Sequence, residues 1–211
     1  MKKFIPFLLA LSLALPGFSV QNNSRKVIDF NNNWKFCLND TIVDGSAVKL
    51  DVSKWRTLNL PHDWSIESDF KEDFPASAGG GALPGGLGWY RKTFFVDKKD
   101  KQNKVFVEFD GVYQKSKVWI NGQFVGYRPN GYVSFSYDIT PFLKFGSENV
   151  IAVRVDNTQQ PNSRWYSGSG IYRNVRLVVT KPVYVEQWGT YVTTPVINND
   201  SAALAISTSI K

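Results

Sequence analysis

Short runs of β-forming residues, separated by turn residues, dominate this chain and restrict what it can fold into. About eight runs are rich in Val, Ile, Phe, Tyr and Trp: 33–38, 90–96, 105–109, 118–120, 123–127, 133–137, 150–155 and 175–180. Residues of these types favour strands, and turn residues between them are typical of antiparallel sheets. Helical periodicity is scarce by comparison. The pattern predicts an all-β fold of two packed sheets rather than a parallel α/β fold.

Turn residues indicate how some of these runs are joined. Asn121-Gly122 separates VWI from QFVGY and predicts a hairpin, because both central residues of such a turn need positive φ. The residues DITP at 138–141 are expected to close another strand. The glycine-rich segment 79–88 leads into a strand rather than into Gly-Lys-Ser/Thr and a helix, so we exclude a phosphate-binding loop.

Residues 1–19 are predicted to be a secretory signal peptide. Lys2 and Lys3 precede the apolar stretch 4–15, and the small residues Gly17 and Ser19 precede the expected cleavage point. The apolar stretch is too short to span a bilayer. We therefore expect export to a bacterial periplasm or to the extracellular space, with no membrane attachment after signal cleavage.

Composition argues against several kinds of site. Cys37 is the only cysteine and His62 the only histidine, so we expect no internal disulfide, thiolate cluster or histidine-based metal site. His62 is expected to make a structural hydrogen bond instead. The formal net charge is +7, but the basic residues are spread along the chain apart from a lysine-rich turn at 98–104. Nucleic acid is not expected as a partner, because its recognition needs a concentrated basic patch or a known module.

Aromatic residues make up 15% of the chain and divide into two groups. Those in or beside strands are predicted to be core residues: Phe106, Phe109, Trp119, Phe124, Phe135 and Phe142. Four others lie among Gly, Pro, Ser and Asp, and are candidates for sugar stacking or for contact with another domain: Trp64, Trp89, Trp165 and Tyr166.

The chain changes character after Pro182. Segments 183–194 and Ala202–Ile210 predict two strands, separated by the turn residues 198–200. About thirty residues cannot bury a core of their own. Residues 182–211 are therefore interpreted as the first strands of a second β-domain that this chain does not complete.

The loop within 153–175 is the strongest candidate for a binding site. Between two strands it places Asp156, Asn157, Arg164, Trp165 and Tyr166, which offer acceptors, donors and flat apolar faces. Such a set suits a polyhydroxylated ligand. A structural explanation stays open, because Asp and Asn also end strands and start turns, and Trp165 could pack on another domain.

Several ordered motifs resemble the N-terminal sugar-binding domain of glycoside hydrolase family 2. They are LPHDW (60–64), GWYR (88–91), DGVY (110–113), VWING (118–122), VGYRPNGY (125–132) and RWYSGSGIYR (164–173). The resemblance covers residues 28–180. It is strongest to the bacterial β-galactosidases, with β-glucuronidases and β-mannosidases as relatives.

The resemblance implies a jelly-roll (galactose-binding-like) β-sandwich at 20–181, an incomplete immunoglobulin-like domain from residue 182, and a catalytic (β/α)₈ barrel that is absent from this chain. In retaining glycosidases two carboxyl groups about 5 Å apart act as nucleophile and acid/base. No segment here resembles the motifs of the family's catalytic glutamates, so no catalytic residue is assigned. The chain is thereby expected to be the non-catalytic sugar-binding portion of an exported, retaining, β-galactosidase-like enzyme.

The resemblance also implies which residues face the substrate. Asp156 matches an aspartate that binds the terminal sugar and an associated cation, and Asn157 is placed in the same substrate-binding set. Asp63 matches a second sugar-facing position, and Arg164 and Trp165 would line the same rim. The implied partners are a β-galactoside or related glycan and the absent barrel. Mg²⁺ or Na⁺ is expected only in the complete enzyme, with Asp156 as the candidate metal ligand.

Two other functions remain open. A stand-alone, lectin-like carbohydrate-binding module would use the same loop, and a structural β-sandwich would have no sugar site. The unfinished pair of strands after Pro182 favours the enzyme fragment.

Overall fold

A computed structural model describes residues 24–38 and 44–211, and these contain twelve strands and four short 3₁₀ turns. The predicted signal peptide at 1–19 lies outside the described residues. The strands are β1 (Arg25–Asp29), β2 (Trp34–Leu38), β3 (Arg56–Leu58), β4 (Gly86–Val96), β5 (Lys104–Phe109), β6 (Ser116–Ile120), β7 (Gln123–Arg128), β8 (Phe135–Asp138), β9 (Ser147–Asn157), β10 (Val175–Thr180), β11 (Val185–Ile197) and β12 (Ala202–Ile210).

Ten of these strands form two antiparallel sheets that pack on each other. One sheet has the order β1-β10-β5-β8 and the other β3-β2-β4-β9-β6-β7. The longest pairing joins β4 to β9, from Gly86 opposite Asn157 to Val96 opposite Ser147. The prediction of an all-β, two-sheet sandwich is confirmed.

The core lies between the two sheets, because alternate side chains of each strand point inward. Tyr90 and Val153 from the six-stranded sheet are fully buried, as are Val107 and Phe109 from the four-stranded sheet. Phe109 stacks on Phe135, with 4.9 Å between ring centroids. This layer fixes the positions at which the strands end and the loops begin.

The two predicted turns are present. Asn121 and Gly122 have φ values of 51° and 79°, so both occupy the left-handed region that the hairpin requires. Asp138 ends β8, and its Oδ1 accepts a hydrogen bond of 2.9 Å from the backbone N–H of Thr140. The sequence pattern missed β1 and β3, which have few apolar residues and lie at sheet edges.

The division of aromatic residues was wrong for three side chains. Phe124 lies on the edge strand β7 and is 53% exposed, so it is not a core residue. Trp64 and Trp89 are buried instead of presented in loops. Trp64 stacks on Phe36, and its Nε1 donates to the carbonyl of Gly85, whereas Trp89 lies inside β4. The remaining predicted core residues are buried or half-buried.

The strands β11 and β12 pair with each other in a separate two-stranded sheet. Their large apolar side chains are exposed, including Val192, Ile206 and Ile210. The sheet contacts the sandwich near its start, where the ring of Tyr184 lies 5.2 Å from that of Phe106. Within 24–38 and 44–211, no helix has the length and apolar character needed to cross a membrane.

Replacing Phe109 tests the core against the misassigned Phe124. We expect Phe109→Ala to lower the free energy of unfolding by about 3–5 kcal/mol, because it leaves a cavity between the sheets. Phe124→Ala should change it by less than about 1 kcal/mol, since the ring is largely solvated. Urea unfolding followed by tryptophan fluorescence measures both. Equal losses would contradict the described packing.

Candidate functional site

The candidate site is built where segment 62–64 runs beside segment 169–171. The backbone N–H groups of His62 and Trp64 donate to the carbonyls of Ile171 and Ser169, over 2.9 and 3.1 Å. On the other side, Tyr113 and Gly170 exchange two backbone hydrogen bonds of 2.8 and 2.9 Å. This strand-like arrangement brings three distant parts of the chain together at one end of the sandwich.

Asp63 joins two of these parts through its side chain. Its Oδ1 accepts hydrogen bonds from the backbone N–H of Ser65 at 3.0 Å and of Ser169 at 2.9 Å. Its Oδ2 accepts from the hydroxyl of Tyr166. Burial raises the pKa of Tyr166, and the hydrogen bond to Asp63 raises it further. Tyr166 therefore stays protonated and keeps donating to Asp63.

Asn157 is buried, and both its polar atoms are used by the protein. Its Nδ2 donates to the carbonyl of Gly168 at 3.1 Å and to the hydroxyl of Ser169 at 2.7 Å. Its Oδ1 accepts from the side-chain amides of Asn162 and Gln160, at 2.7 and 2.9 Å. This residue therefore supports the loop from within. Its assignment to direct substrate binding stays a prediction.

Asp156 precedes Asn157 on β9 and points to the opposite face, because side chains alternate along a strand. It is half-buried, with Oδ2 3.2 Å from Nη2 of Arg154 and Oδ1 accepting from the hydroxyl of Thr158 at 2.7 Å. Burial alone would raise the pKa of Asp156, but the hydrogen bonds from Thr158 and the charges of Arg154 and Lys115 lower it overall. Asp156 is therefore ionised at neutral pH.

Trp165 and Arg164 lie at the exposed end of the loop. Trp165 is 62% exposed, and its Nε1 donates a 3.2 Å hydrogen bond to the hydroxyl of Tyr132. Tyr132 in turn packs edge-on against Tyr113, with 5.3 Å between ring centroids. Arg164 is exposed beside them. Sequence reasoning missed Tyr132, although the Asn130-Gly131 pair before it is a turn signal that could have marked a loop.

The structure thus places the predicted site residues in three neighbouring groups. Asp63 and Asn157 belong to one hydrogen-bond network, since both contact Ser169. Asp156 lies on the other face of the same strand end, and Trp165 belongs to an exposed aromatic group with Arg164 beside it in the chain. In the described part of the chain, no cluster of three or more His, Cys, Asp or Glu side chains could hold a metal ion.

His62 makes the structural hydrogen bonds that were predicted for it. Its Nδ1 shares a 2.7 Å hydrogen bond with the hydroxyl of Tyr90, and its Nε2 lies 2.8 Å from Nη2 of Arg56. Glu67 completes the group, at 2.7 Å from the same guanidinium nitrogen. Burial lowers the pKa of His62, and the charge of Arg56 adds to this against the opposing effect of Glu67. The ring is therefore neutral near pH 7.

Comparison with protein families matches residues 27–182 to the model described as "Glycosyl hydrolases family 2, sugar binding domain". The chain is 55% identical to a β-galactosidase of Bacteroides ovatus over 88% of this chain and 22% of that protein. It is 46% identical to a putative β-glucuronidase of Formosa agariphila, over 87% of this chain and 18% of that protein.

Solved structures give the same picture. A β-glycosidase from Bacteroides vulgatus matches with a TM-score of 0.84 and 45% identity, over 88% of this chain and 24% of that one. A glycosyl hydrolase family 2 member from Bacteroides cellulosilyticus matches with a TM-score of 0.83 and 42% identity, over 87% and 24%. The chain therefore spans no more than about a quarter of the proteins it matches here.

Asn157→Ala tests the internal role of this residue. We expect it to lower the free energy of unfolding by about 2 kcal/mol, because it removes the buried hydrogen bonds that Asn157 makes to Gly168 and Ser169 and those that it accepts from Gln160 and Asn162. Gln159→Ala, on the exposed side of the same loop, should have little effect. Thermal unfolding of the two variants and of the unmodified chain measures these effects. If Asn157→Ala were as stable as Gln159→Ala, the described network would be contradicted.

The neutral state of His62 predicts a specific dependence of stability on pH. Since its pKa is lowered from the ordinary value of 6.5, the unfolded chain binds a proton that the folded chain does not. The free energy of unfolding should therefore be constant above about pH 6.5 and should fall as the pH drops towards about pH 5. Carboxylates such as Asp156, whose ordinary value is 3.8, act only at lower pH.

The control is His62→Gln, which removes the only histidine of the chain. This variant should be less stable at every pH, but its stability should vary less between about pH 6.5 and pH 5. Chemical unfolding at a series of pH values gives the two slopes. Identical slopes would show that His62 is not held neutral.

Proposed function

This chain belongs to glycosyl hydrolase family 2, in which it is a sugar-binding domain, and we propose that it forms the sugar-facing, non-catalytic part of an exported retaining β-galactosidase. One observation carries this proposal. The match covers 88% of this chain but only 22% of the Bacteroides ovatus β-galactosidase. The part of such a relative that this chain does not match is long enough to contain a catalytic barrel.

Asp156 is the residue that we assign to direct contact with the sugar. Its carboxylate is ionised and only half-buried, so it can accept hydrogen bonds from sugar hydroxyls. Charge-assisted hydrogen bonds of this kind are stronger than neutral ones. Arg154 and Thr158 hold the carboxylate in place. Asp63 and Asn157 act mainly by fixing the loop, and Arg164 and Trp165 line its outer rim.

A galactoside is the substrate that we favour over a glucuronide. Identity is higher to the β-galactosidase, at 55%, than to the putative β-glucuronidase, at 46%. An ionised Asp156 also suits a neutral sugar, because it would repel the carboxylate of a glucuronide. Arg154, which pairs with Asp156, offsets part of that repulsion.

Cation use is proposed for the complete enzyme only. Mg²⁺ needs several oxygen ligands in octahedral geometry. In the described ranges, Asp156 offers one carboxylate that is already paired with Arg154, and no group of three or more His, Cys, Asp or Glu side chains could hold a metal ion. If the complete enzyme binds Mg²⁺ or Na⁺, other residues must supply most of the ligands.

Three further proposals rest on the sequence. Export to the periplasm or beyond depends on the signal peptide at 1–19. The jelly-roll description applies to the domain at 20–181, and 182–211 would begin an immunoglobulin-like domain. The exposed apolar side chains of β11 and β12 support this last proposal, because such a surface is normally covered. They also favour an enzyme fragment over a stand-alone lectin-like module.

A chimaera tests the proposed function. Residues 27–182 of this chain would replace the matching segment of the Bacteroides ovatus β-galactosidase, and hydrolysis of 4-nitrophenyl β-D-galactoside would be measured. We expect an active chimaera, and Asp156→Ala should lower its kcat/KM about tenfold or more, because a charge-assisted contact to the sugar is lost.

Asp156→Asn provides the matched control. It keeps the shape and one acceptor oxygen for Thr158, but it removes the negative charge, so an intermediate kcat/KM is expected. Circular dichroism confirms that each chimaera is folded. Full activity of both Asp156 variants would contradict a sugar-facing role, and activity of this chain without any barrel would contradict its non-catalytic assignment.

A further inference from the structure

The consecutive aromatic residues Trp165 and Tyr166 contact two different parts of the structure. The hydroxyl of Tyr166 donates to Asp63, within the network that fixes the loop. Trp165 instead contacts Tyr132, which comes from the connection between β7 and β8. The proposed function places Trp165 on the rim of the loop, but it assigns no role to Tyr132 and does not say what the two rings bind together.

The segment carrying Tyr132 is held firmly. Oδ1 of Asn130 accepts hydrogen bonds from the backbone N–H groups of Tyr132 and Val133, at 2.8 and 3.1 Å. The hydroxyl of Tyr172 donates to the carbonyl of Gly131 at 2.9 Å. Gly131 packs directly against the ring of Tyr113, where no Cβ would fit. The backbone that carries Tyr132 is therefore fixed before any ligand binds, which lowers the entropy cost of binding.

Trp165 and Tyr132 remain open to solvent despite this support. They are 62% and 49% exposed, and the 3.2 Å hydrogen bond between Trp165 Nε1 and the Tyr132 hydroxyl joins their edges. Two fixed aromatic rings exposed side by side are not explained by the core, which they do not enter. Tyr and Trp supply rigid contact area with a polar edge, and this combination is typical of recognition surfaces.

The surroundings favour a carbohydrate over a protein partner. Most side chains near the two rings in the sequence are polar, namely Asn130, Asn162, Ser163 and Arg164, and the large exposed apolar neighbours are limited to Val133 and Tyr166. A protein interface would need a contiguous apolar patch around the two rings. A pyranose needs only a flat apolar surface for its C–H face, with polar groups at the edge for its hydroxyls. Galactose has such a C–H face.

We propose that Trp165 and Tyr132 form a stacking subsite for a second pyranose unit of a β-linked galactoside. This inference rests on the proposed function, because it assumes that the domain faces a glycan. It adds that the rim binds the sugar beyond the terminal galactose, and that it does so with residues of this chain alone.

The test is a titration of the chain with lactose and with methyl β-D-galactoside. Binding is monitored by NMR, through the chemical-shift changes of the tryptophan side-chain N–H groups. We expect lactose to bind with a Kd near the millimolar range and to shift the signal of Trp165. Methyl β-D-galactoside, which lacks the second pyranose, should bind more weakly and leave that signal nearly unchanged.

Variants give the decisive comparison. Trp165→Ala and Tyr132→Ala should each weaken lactose binding about fivefold or more, as expected for the loss of one aromatic contact. Trp165→Phe should keep most of the affinity, which separates a stacking role from misfolding. Trp188→Ala is the matched control, because Trp188 is 83% exposed on β11, in the separate two-stranded sheet, and its loss should leave lactose binding unchanged.

Two outcomes would overturn the proposal: no detectable lactose binding, or unchanged binding by Trp165→Ala and Tyr132→Ala. The chimaera with Asp156→Ala reports separately on the proposed function. If the chimaera depends on Asp156 while the lactose titration is insensitive to Trp165, only the subsite is wrong. If lactose binding depends on Trp165 while the activity of the chimaera is unchanged by Asp156→Ala, the subsite is supported and the proposed sugar contact of Asp156 is wrong.

Discussion

The antiparallel pairing of β4 with β9 is the interaction on which the remaining structure depends. It joins eleven residues of each strand, and its inner side chains, such as Tyr90 and Val153, form the centre of the core. The same pairing ends with Gly86 opposite Asn157, so it also fixes the point at which β9 ends and the loop of the candidate site begins. Stability and the candidate site therefore originate in one ladder of hydrogen bonds.

Alternation along β9 explains why neighbouring residues have different tasks. Asp156 and Asn157 are consecutive, yet one contacts Arg154 near the surface and the other fills a buried polar network. Trp165 and Tyr166, in the loop that follows β9, also make different contacts, with Tyr132 and Asp63 respectively. The proposed sugar contact of Asp156 and the internal support by Asn157 therefore come from adjacent residues on opposite faces of one strand.

Much of the fold was predictable from the sequence, because β-branched and aromatic runs mark strands whether or not their partners are known. Edge elements were harder, since β1 has only two apolar residues and β3 has one. Burial of Trp64 could not be predicted from its polar neighbours, because it depends on contact with Phe36 of β2. The motifs located the candidate site, but the network through Ser169 and the contact of Trp165 with Tyr132 join residues far apart in sequence, and no local pattern reports them.

The hydrogen bond between Asp63 and Ser169 has a consequence for the order of folding. These residues are separated by 106 positions, so their contact closes a very long loop. Long-range contacts of this kind form late, because the entropy of closing the chain is lost before the contact is gained. On a chain made from its N-terminus, segment 62–64 must wait until the partner segment 169–171 has been synthesised. The rim therefore forms only after most of the sandwich has been synthesised, and the pairing of β1 with β10, which joins residues still farther apart, is under the same constraint.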